Sequence, residues 1–113
     1  MTALQENPAD QLSAIVIRLF QLAGDTRITP KSKRDTIFES AHKLHGYSMT
    51  LAKKQFTENS KAYQEAMDNI TRINGGLMQA KEDIQKIVKT IEDLGKLVSA
   101  VEKLVIAVGG VVA

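Results

Sequence analysis

Residues 63–108 read YQEAMDNITRINGGLMQAKEDIQKIVKTIEDLGKLVSAVEKLVIAV, with apolar side chains recurring in alternating steps of three and four residues. This heptad pattern is typical of a long helix whose apolar seam is covered by another helix. The pattern therefore predicts helices that need a partner surface, supplied either by the same chain or by a second copy. No charged residue interrupts the seam, which runs through Tyr63, Ala66, Ile70, Ile73, Leu77, Ala80, Ile84, Ile87, Ile91, Leu94, Val98, Val101, Val105 and Val108.

The composition sets the size and the chemistry of the core. A chain of 113 residues is expected to form one domain, 1–113, and it can bury about two-thirds of its unfolded surface. With three Phe, two Tyr and no Trp, the core must consist mainly of aliphatic side chains and Met, which suits narrow contacts between helices. The chain has no Cys, which excludes disulfides, thiolate zinc sites and cysteine nucleophiles.

The first part of the chain carries clear helix signals. Asn7 followed by Pro8 is an N-cap with proline at the first helical position. Gly24 is a common residue just after a helix end. Between these signals apolar residues recur at helical spacing, which predicts helix 1 at about 8–23.

Thr29 followed by Pro30 repeats the signal of an N-cap with proline at the first helical position, so a second helix is predicted to begin there. No Pro and only one Gly, Gly46, occur between there and residue 73, so the simplest prediction is one helix at about 30–73. Two apolar stripes overlap along it, which indicates a wider or shifting buried face, as expected of a helix in contact with two neighbours. One stripe, in phase with the seam, carries Phe38, His42, His45 and Met49, and the other carries Ile37, Ala41, Leu44 and Leu51.

The seam crosses the strongest helix breaker in the interior, the Asn-Gly-Gly sequence at 74–76. Two glycines in a helix cost about 2 kcal/mol relative to alanines, so we predict a turn there, with helix 3 at about 77–108. The fold class is then all-α, an extended three-helix unit with a long, coiled-coil-like helical hairpin. The alternative is one helix of more than about 70 residues that pairs between chains, because the heptad keeps its phase from Ile73 to Leu77.

The second half of the chain carries more apolar surface than one seam needs, because Val88, Leu97 and Leu104 flank it. A stripe of that width favours three or more helices around a shared core, so we predict a homo-oligomeric bundle. The expected partners are other copies of the chain and another protein. The predicted interface consists of Ile84, Ile87, Ile91, Leu94, Val98, Val101, Val105 and Val108.

The charge is unevenly distributed, although the net charge is only +2. Residues 27–54 hold seven basic and two acidic side chains. Lys31, Lys33 and Arg34 lie at the start of the predicted second helix and are the predicted contacts for an anionic surface, either lipid or nucleic acid. The block lacks interleaved aromatic residues and a recognition-helix pattern, so nucleic acid is the weaker of these two predictions.

His42 and His45 are the only histidines, and their spacing places both on one helical face. Two imidazoles can reach one metal ion, but Glu39 is the only carboxylate at a matching spacing and the HExxH pattern is absent. We therefore predict no metal and no cofactor. The pair is interpreted as partly buried polar positions that set helix register.

The last ten residues, 104–113, contain no polar side chain. A helix that spans a bilayer needs about 20 apolar residues, so this segment is too short to cross a membrane. It is long enough to insert shallowly into one. This supports an alternative function as a membrane-active protein, pore-forming or secretion-related.

The sequence contains no phosphate-binding loop, no nucleophile elbow and no pair of carboxylates that would face each other across a cleft. We therefore expect no enzymatic activity and no small-molecule substrate. The favoured function is a non-catalytic assembly or adaptor protein that acts through coiled-coil self-association and protein–protein binding. Binding of nucleic acid by 27–54 is a further alternative. Residues 1–7 do not resemble a signal peptide, so the expected location is the cytoplasm, or a membrane surface under the membrane-active alternative.

Overall fold

A computed structural model describes residues 8–53 and 61–108 of the chain. All regular structure in these two ranges is helical and no strand occurs in them, which confirms the all-α class. The described residues form four helices instead of the predicted three. They are α1 (Pro8–Ala23), α2 (Lys31–Leu51), α3 (Lys61–Glu82) and α4 (Ile87–Ala107), with a 3-10 turn at Ile84–Lys86 before the last.

The first helix has the predicted bounds, and a short connection joins it to α2. After Ala23 the N–H of Asp25 donates to the carbonyl of Leu22 at 3.0 Å. The Asp25 carboxylate accepts the backbone N–H of Arg27 at 3.0 Å and its guanidinium at 2.6 Å. These hydrogen bonds lower the pKa of Asp25 to about 2. Local hydrogen bonds around Asp25 thus hold the connection, which brings α2 back against α1.

The predicted single helix 30–73 is wrong. α2 ends at Leu51, where the N–H of Ala52 donates to the carbonyl of Ser48 at 2.9 Å, before α3 begins as a separate helix. The physical reason is the phase of the buried stripes. The Ile37 stripe, which α2 buries, precedes the stripe in phase with the α3 seam by one residue, or about 100° around a helix. One straight helix could not direct both the Ile37 stripe of α2 and the seam of α3 into the same core.

The predicted turn at 74–76 is also wrong. α3 continues through the Asn-Gly-Gly sequence to Glu82, and the predicted helix 77–108 is the end of α3 followed by α4. The chain reverses at Asp83, whose backbone is extended and whose Oδ1 accepts the N–H of Gln85 at 3.1 Å. An aspartate in this position satisfies an N–H group that has no partner within the helix. The reversal therefore occurs where a side-chain cap is available, and not at the glycines.

The two glycines within α3 have different surroundings. A Cβ atom on Gly76 would lie 2.9 Å from Oγ1 of Thr90, whereas a Cβ atom on Gly75 would meet nothing within 4 Å. Gly76 therefore allows α3 and α4 to approach closely, and Thr90 is buried in the contact. The packing gained there offsets the intrinsic cost of a glycine inside a helix, which is about 1 kcal/mol.

The helices run alternately up and down the bundle. α1 packs on α2 and α3 packs on α4, each pair joined by a short connection. The hydroxyl of Tyr47, near the end of α2, donates to Oε1 of Glu102, near the end of α4, at 2.7 Å. These two helices therefore lie side by side and point the same way. The bundle measures 47 × 28 × 18 Å along its principal axes, which is less than the roughly 65 Å that the predicted second helix would need.

One hydrophobic cluster contains side chains from all four helices. Each fully buried aliphatic side chain contributes about 1.5–3 kcal/mol, so this cluster is the main stabilising element of the bundle. Its largest fully buried members are Leu12, Ile15, Leu19, Ile28, Ile37, Leu44, Leu51, Ile70, Ile73, Leu94, Leu97 and Leu104.

Candidate functional site

The predicted interface lies on α4 and the residues that flank it, and the chain itself covers much of it. α2 and α3 pack on α4 and provide the surface that the heptad seam needs. The buried half could contact a second copy only if the bundle opened, so contact between copies through this seam stays a prediction. Ile87, Leu94, Val101 and Val105 are buried in the core, and Ile84, Ile91, Val98 and Val108 are partly buried against it.

α2 buries one of its two apolar stripes and exposes the other. The stripe that contains Ile37 and Leu44 faces the core, and the stripe in phase with the seam faces outward. Phe38 is 53% exposed and Met49 is 60% exposed. α2 packs against two neighbours, α1 and α4, as predicted, but they cover only one of its two stripes, so its buried face is not widened to include both. We refer to the exposed residues Phe38, His42, His45 and Met49 as the α2 stripe.

Residues of α1 extend this apolar surface sideways. The rings of Phe20 and Phe38 pack edge to face with their centroids 5.5 Å apart. Ile17, one turn before Phe20, is exposed as well. Aromatic pairs of this geometry contribute about 0.5–1.5 kcal/mol beyond their burial, so the contact helps to order both rings at the surface. The sequence analysis did not predict this exposed apolar surface on α1. The signal was present, because Ile17 and Phe20 are large apolar residues that fall outside the helical spacing of the buried residues.

The two histidines of the α2 stripe are exposed, whereas partial burial was predicted. His42 and His45 lie between Phe38 and Met49, so they form the centre of the stripe. No group of three or more His, Asp or Glu side chains in the described ranges is placed to hold a metal ion. A neutral imidazole both donates and accepts a hydrogen bond. The centre of the stripe is therefore polar, and its two ends are apolar.

The predicted anionic contacts lie in the first turn of α2. Lys31 is exposed, and Lys33 and Arg34 are partly buried. Pro30 at the N-cap provides no side-chain hydrogen bond, and no acidic residue lies in this turn. Positive charge at the positive end of a helix dipole is unfavourable, and a nearby anion would relieve it. Binding of lipid or nucleic acid by this turn stays a prediction.

Lys31→Glu is expected to raise the free energy of unfolding by about 0.3–1 kcal/mol, because it replaces a repelled charge by an attracted one at the helix start. Urea unfolding followed by circular dichroism measures the change. Lys43→Glu is the matched control, since Lys43 is also exposed but lies in the middle of the same helix. Equal changes for the two variants would contradict an unfavourable charge at the start of α2.

One polar contact connects α2 to α4. The hydroxyl of the buried Tyr47 donates to the carboxylate of Glu102 at 2.7 Å. Burial and this hydrogen bond raise the pKa of Tyr47 to about 12. The contact joins two parallel helices near their C-terminal ends, so we interpret it as a structural contact.

The Tyr47 contact predicts a loss of stability at alkaline pH. Tyrosine in an unfolded chain titrates near pH ~10, and the pKa of Tyr47 in the folded chain is about 12. The stabilising contribution is therefore complete below pH ~10 and is lost as the pH rises through about 12. The thermal unfolding midpoint should decline more steeply over this range than in Tyr47→Phe, in which lysine titration is unchanged. Parallel declines would contradict the contact.

A shallow groove of about 530 Å³ lies between α3 and α4. Within it, Nη1 of Arg72 donates to Oδ1 of Asn69 at 3.2 Å. Its lining carries charges of both signs, whereas small ligands favour apolar pockets with a few converging polar groups. We therefore interpret the groove as a solvated contact between helices. Its charged and amide side chains include Glu65, Asn69, Arg72, Glu92, Lys96 and Lys103.

Much of the apolar C-terminal segment lies outside the described residues, since 109–113 are not among them. α4 ends at Ala107, and Ile106 in its last turn is exposed. Among the described helices, none combines the length and the apolar content that crossing a membrane requires. Shallow insertion of 104–113 stays a prediction.

No protein-family model, curated protein or solved structure matches the chain. The exposed surfaces are therefore the basis for a functional proposal. Seven large apolar side chains are exposed in the described part of the chain, and four of them belong to the α1–α2 hairpin. These four are Ile17, Phe20, Phe38 and Met49.

Proposed function

We propose that the chain is a non-catalytic assembly or adaptor protein that binds protein partners through the exposed face of its α1–α2 hairpin. The observation that carries this proposal is the α2 stripe, in which Phe38 and Met49 are exposed and Phe20 packs alongside. Single exposed apolar residues are ordinary, but here Phe20 and Phe38 are in contact and Met49 lies further along the same helix face, and grouped apolar residues are typical of a contact site. Aromatic side chains and Met are also enriched in protein interfaces.

The spacing of the α2 stripe indicates the kind of partner. Its steps of four, three and four residues are those of successive a and d positions in a coiled coil. A partner helix can lie along α2 and place its own apolar side chains between those of the stripe. The coiled-coil contact predicted for α4 is therefore proposed for α2, where the heptad positions are exposed.

Non-catalytic action is supported by the titratable groups of the described residues. Asp25 and Arg27 shift each other's pKa through an ion pair at 2.6 Å in the α1–α2 connection. The pKa of Tyr47 is raised by burial and by its hydrogen bond to Glu102 between two helices. The first two shifts thus arise from one local ion pair, and the third arises from burial and a contact between two helices. In active sites, by contrast, several perturbed groups commonly converge on one cleft.

Site-specific photo-crosslinking tests the proposal. A p-benzoylphenylalanine at position 38 should form adducts with protein in cells that express the full chain, because that side chain lies at the proposed contact. The same probe in place of Lys89, an exposed residue of α4, is the matched control and should form few adducts. Equal protein adducts at both positions, or none at position 38, would contradict the proposal.

A membrane-active protein is the second candidate, and it is favoured by the exposed Ile106 next to the apolar segment 109–113. Deletion of 109–113 spares Val105, which is part of the core. This candidate predicts that the full chain floats with liposomes containing anionic lipid and that the deletion abolishes flotation. Flotation that survives the deletion would exclude the segment as the membrane contact.

A further inference from the structure

The positive charge of the described residues is concentrated on the α1–α2 hairpin. Residues 8–53 hold seven basic and four acidic side chains, whereas residues 61–108 hold seven of each. Three of the seven basic side chains of the hairpin lie in the first turn of α2, which contains no acidic residue. We refer to Lys31, Lys33 and Arg34 as the basic turn.

The charges of the basic turn have no carboxylate partner within the described ranges. The only ion pair there joins Arg27 to Asp25 in the preceding connection. Asp35 and Glu39, the acidic residues of α2, form no ion pair with the basic turn. The N–H groups at the start of a helix add partial positive charge of their own. The start of α2 is therefore a site of uncompensated positive charge.

An exposed aromatic pair lies close to the basic turn. Phe38 follows Lys31 by seven residues, or two helical turns, so the two side chains lie on the same side of α2 and about 10 Å apart along it. Phe38 packs on Phe20, and the two rings are 53% and 37% exposed. One short segment of a partner can therefore contact the basic turn and both rings.

The opposite end of the α2 stripe, at Met49, is more nearly balanced in charge. Lys53 is exposed there, and the antiparallel packing of α1 on α2 brings the exposed Asp10 to the same end of the hairpin. The exposed face is thus polarised, with its positive charge and its aromatic rings at one end.

We propose that the α1–α2 face binds a protein segment in which clustered carboxylates lie next to a bulky apolar side chain. The carboxylates pair with the basic turn, and the apolar side chain packs on Phe20 and Phe38. Complementary charge of this kind determines the choice of partner and speeds association. This inference rests on the proposed function and names the chemistry of the partner.

Two observations favour protein over the other anionic surfaces. His42 and His45 lie beside Phe38 on the exposed face, and a polar group that enters lipid without a hydrogen-bond partner is costly. The rings of Phe20 and Phe38 pack on each other at 62°, so they do not form a row of parallel faces on which successive bases could stack.

Fluorescence anisotropy of labelled peptides with the full chain tests the proposal. The acidic peptide has a run of Glu followed by Leu and Trp, and the basic peptide has Lys in place of each Glu. A third peptide keeps the Glu run but has Ser in place of Leu and Trp. At low ionic strength the native chain should bind the acidic peptide at least about 10-fold more tightly than either of the others.

Substitutions in the chain locate the contact. Lys31→Glu should raise the dissociation constant of the acidic peptide by about 3- to 10-fold and lower that of the basic peptide. Because this variant is expected to be more stable than the native chain, unfolding would not explain the loss. Lys89→Glu, at an exposed position of α4, is the matched control and should change either constant by less than about twofold. Phe38→Ser should weaken the acidic peptide by about 10-fold and keep native helicity, because Phe38 is not part of the core.

Three results would overturn the acidic partner. They are no binding of the acidic peptide up to the millimolar range, equal binding of the acidic and basic peptides, and equal effects of Lys31→Glu and Lys89→Glu. Tighter binding to phosphatidylserine vesicles or to a single-stranded oligonucleotide, lost in Lys31→Glu, would assign the basic turn to lipid or nucleic acid instead. In each case, protein adducts from the probe at position 38 would leave the proposed function standing with a partner of different chemistry. The absence of those adducts would remove the proposed function as well.

Discussion

Leu94→Asp is expected to unfold the chain. Leu94 is 1% exposed and lies in the part of the heptad seam that the core encloses. Loss of its apolar contacts costs about 2–5 kcal/mol, and burial of an unpaired carboxylate adds to this cost. Since small domains are stable by about 5–15 kcal/mol, most of the helical circular dichroism signal at 25 °C should disappear.

Val88→Asp is the matched control for this variant, because Val88 lies on the same helix and is 48% exposed. It should change the free energy of unfolding by less than about 1 kcal/mol. A Leu94→Asp chain with native helicity and native resistance to urea would contradict burial of the seam. Helicity that returns at high protein concentration would indicate that a second copy covers the seam instead.

Gly76→Ala is expected to be less stable than Gly75→Ala by about 1–3 kcal/mol, which is the usual cost of overpacking a tight contact. Both substitutions favour the helix intrinsically, by about 0.5–1 kcal/mol. Only the methyl group at position 76 would meet Thr90, at 2.9 Å from its Oγ1. Gly75→Ala should therefore raise the free energy of unfolding, measured by urea titration, and Gly76→Ala should lower it or leave it unchanged.

A double-mutant cycle assigns this difference to the contact with Thr90. In a Thr90→Ala background the side chain opposite Gly76 is shortened, so Gly76→Ala should become about as favourable as Gly75→Ala. If the two glycine substitutions have the same effect in the native background, the close approach of α3 and α4 is wrong.

The sequence predicts those parts of the fold that local signals determine. The bounds of α1 follow from Pro8 and Gly24, and the apolar seam identifies the buried side of α3. On α4 the seam identifies only part of the buried side, which also includes the flanking residues Leu97 and Leu104. The division between α2 and α3 was missed because no Pro or Gly marks it. The one-residue shift between the buried stripes of α2 and α3 is visible in the sequence, but it was interpreted as a wider or shifting face of a single helix.

The turn at 74–76 was predicted wrongly because the low helix propensity of Gly75 and Gly76 was the only signal used. The intrinsic cost of each glycine is a property of the sequence, whereas the close contact that offsets this cost at Gly76 involves Thr90, 14 residues further along the chain. The cap at Asp83 also could not be predicted from local sequence alone. Its side chain marks a helix start only once the preceding helix has ended at Glu82.

The candidate site was only half predictable. The α2 stripe could be recognised from its spacing, but its exposure was not predicted, although two of its four members are histidines and the competing stripe is apolar throughout. The positions of α1 and α4 decide between them, and those positions depend on contacts distant in sequence. The contribution of Phe20 follows from the same packing, since its ring meets Phe38 only in the folded hairpin.

The most direct test of the account is the distance between α3 and α4 within one chain. Because the chain has no Cys, spin labels can be attached to cysteines introduced at Arg72 and Lys96, two exposed positions on the same groove. Labelled chains diluted with unlabelled ones should give a mean distance of roughly 10–20 Å, since packed helix axes lie about 8–10 Å apart. A continuous helix through these positions would separate them by about 36 Å. A mean distance near that value would contradict a seam covered by its own chain.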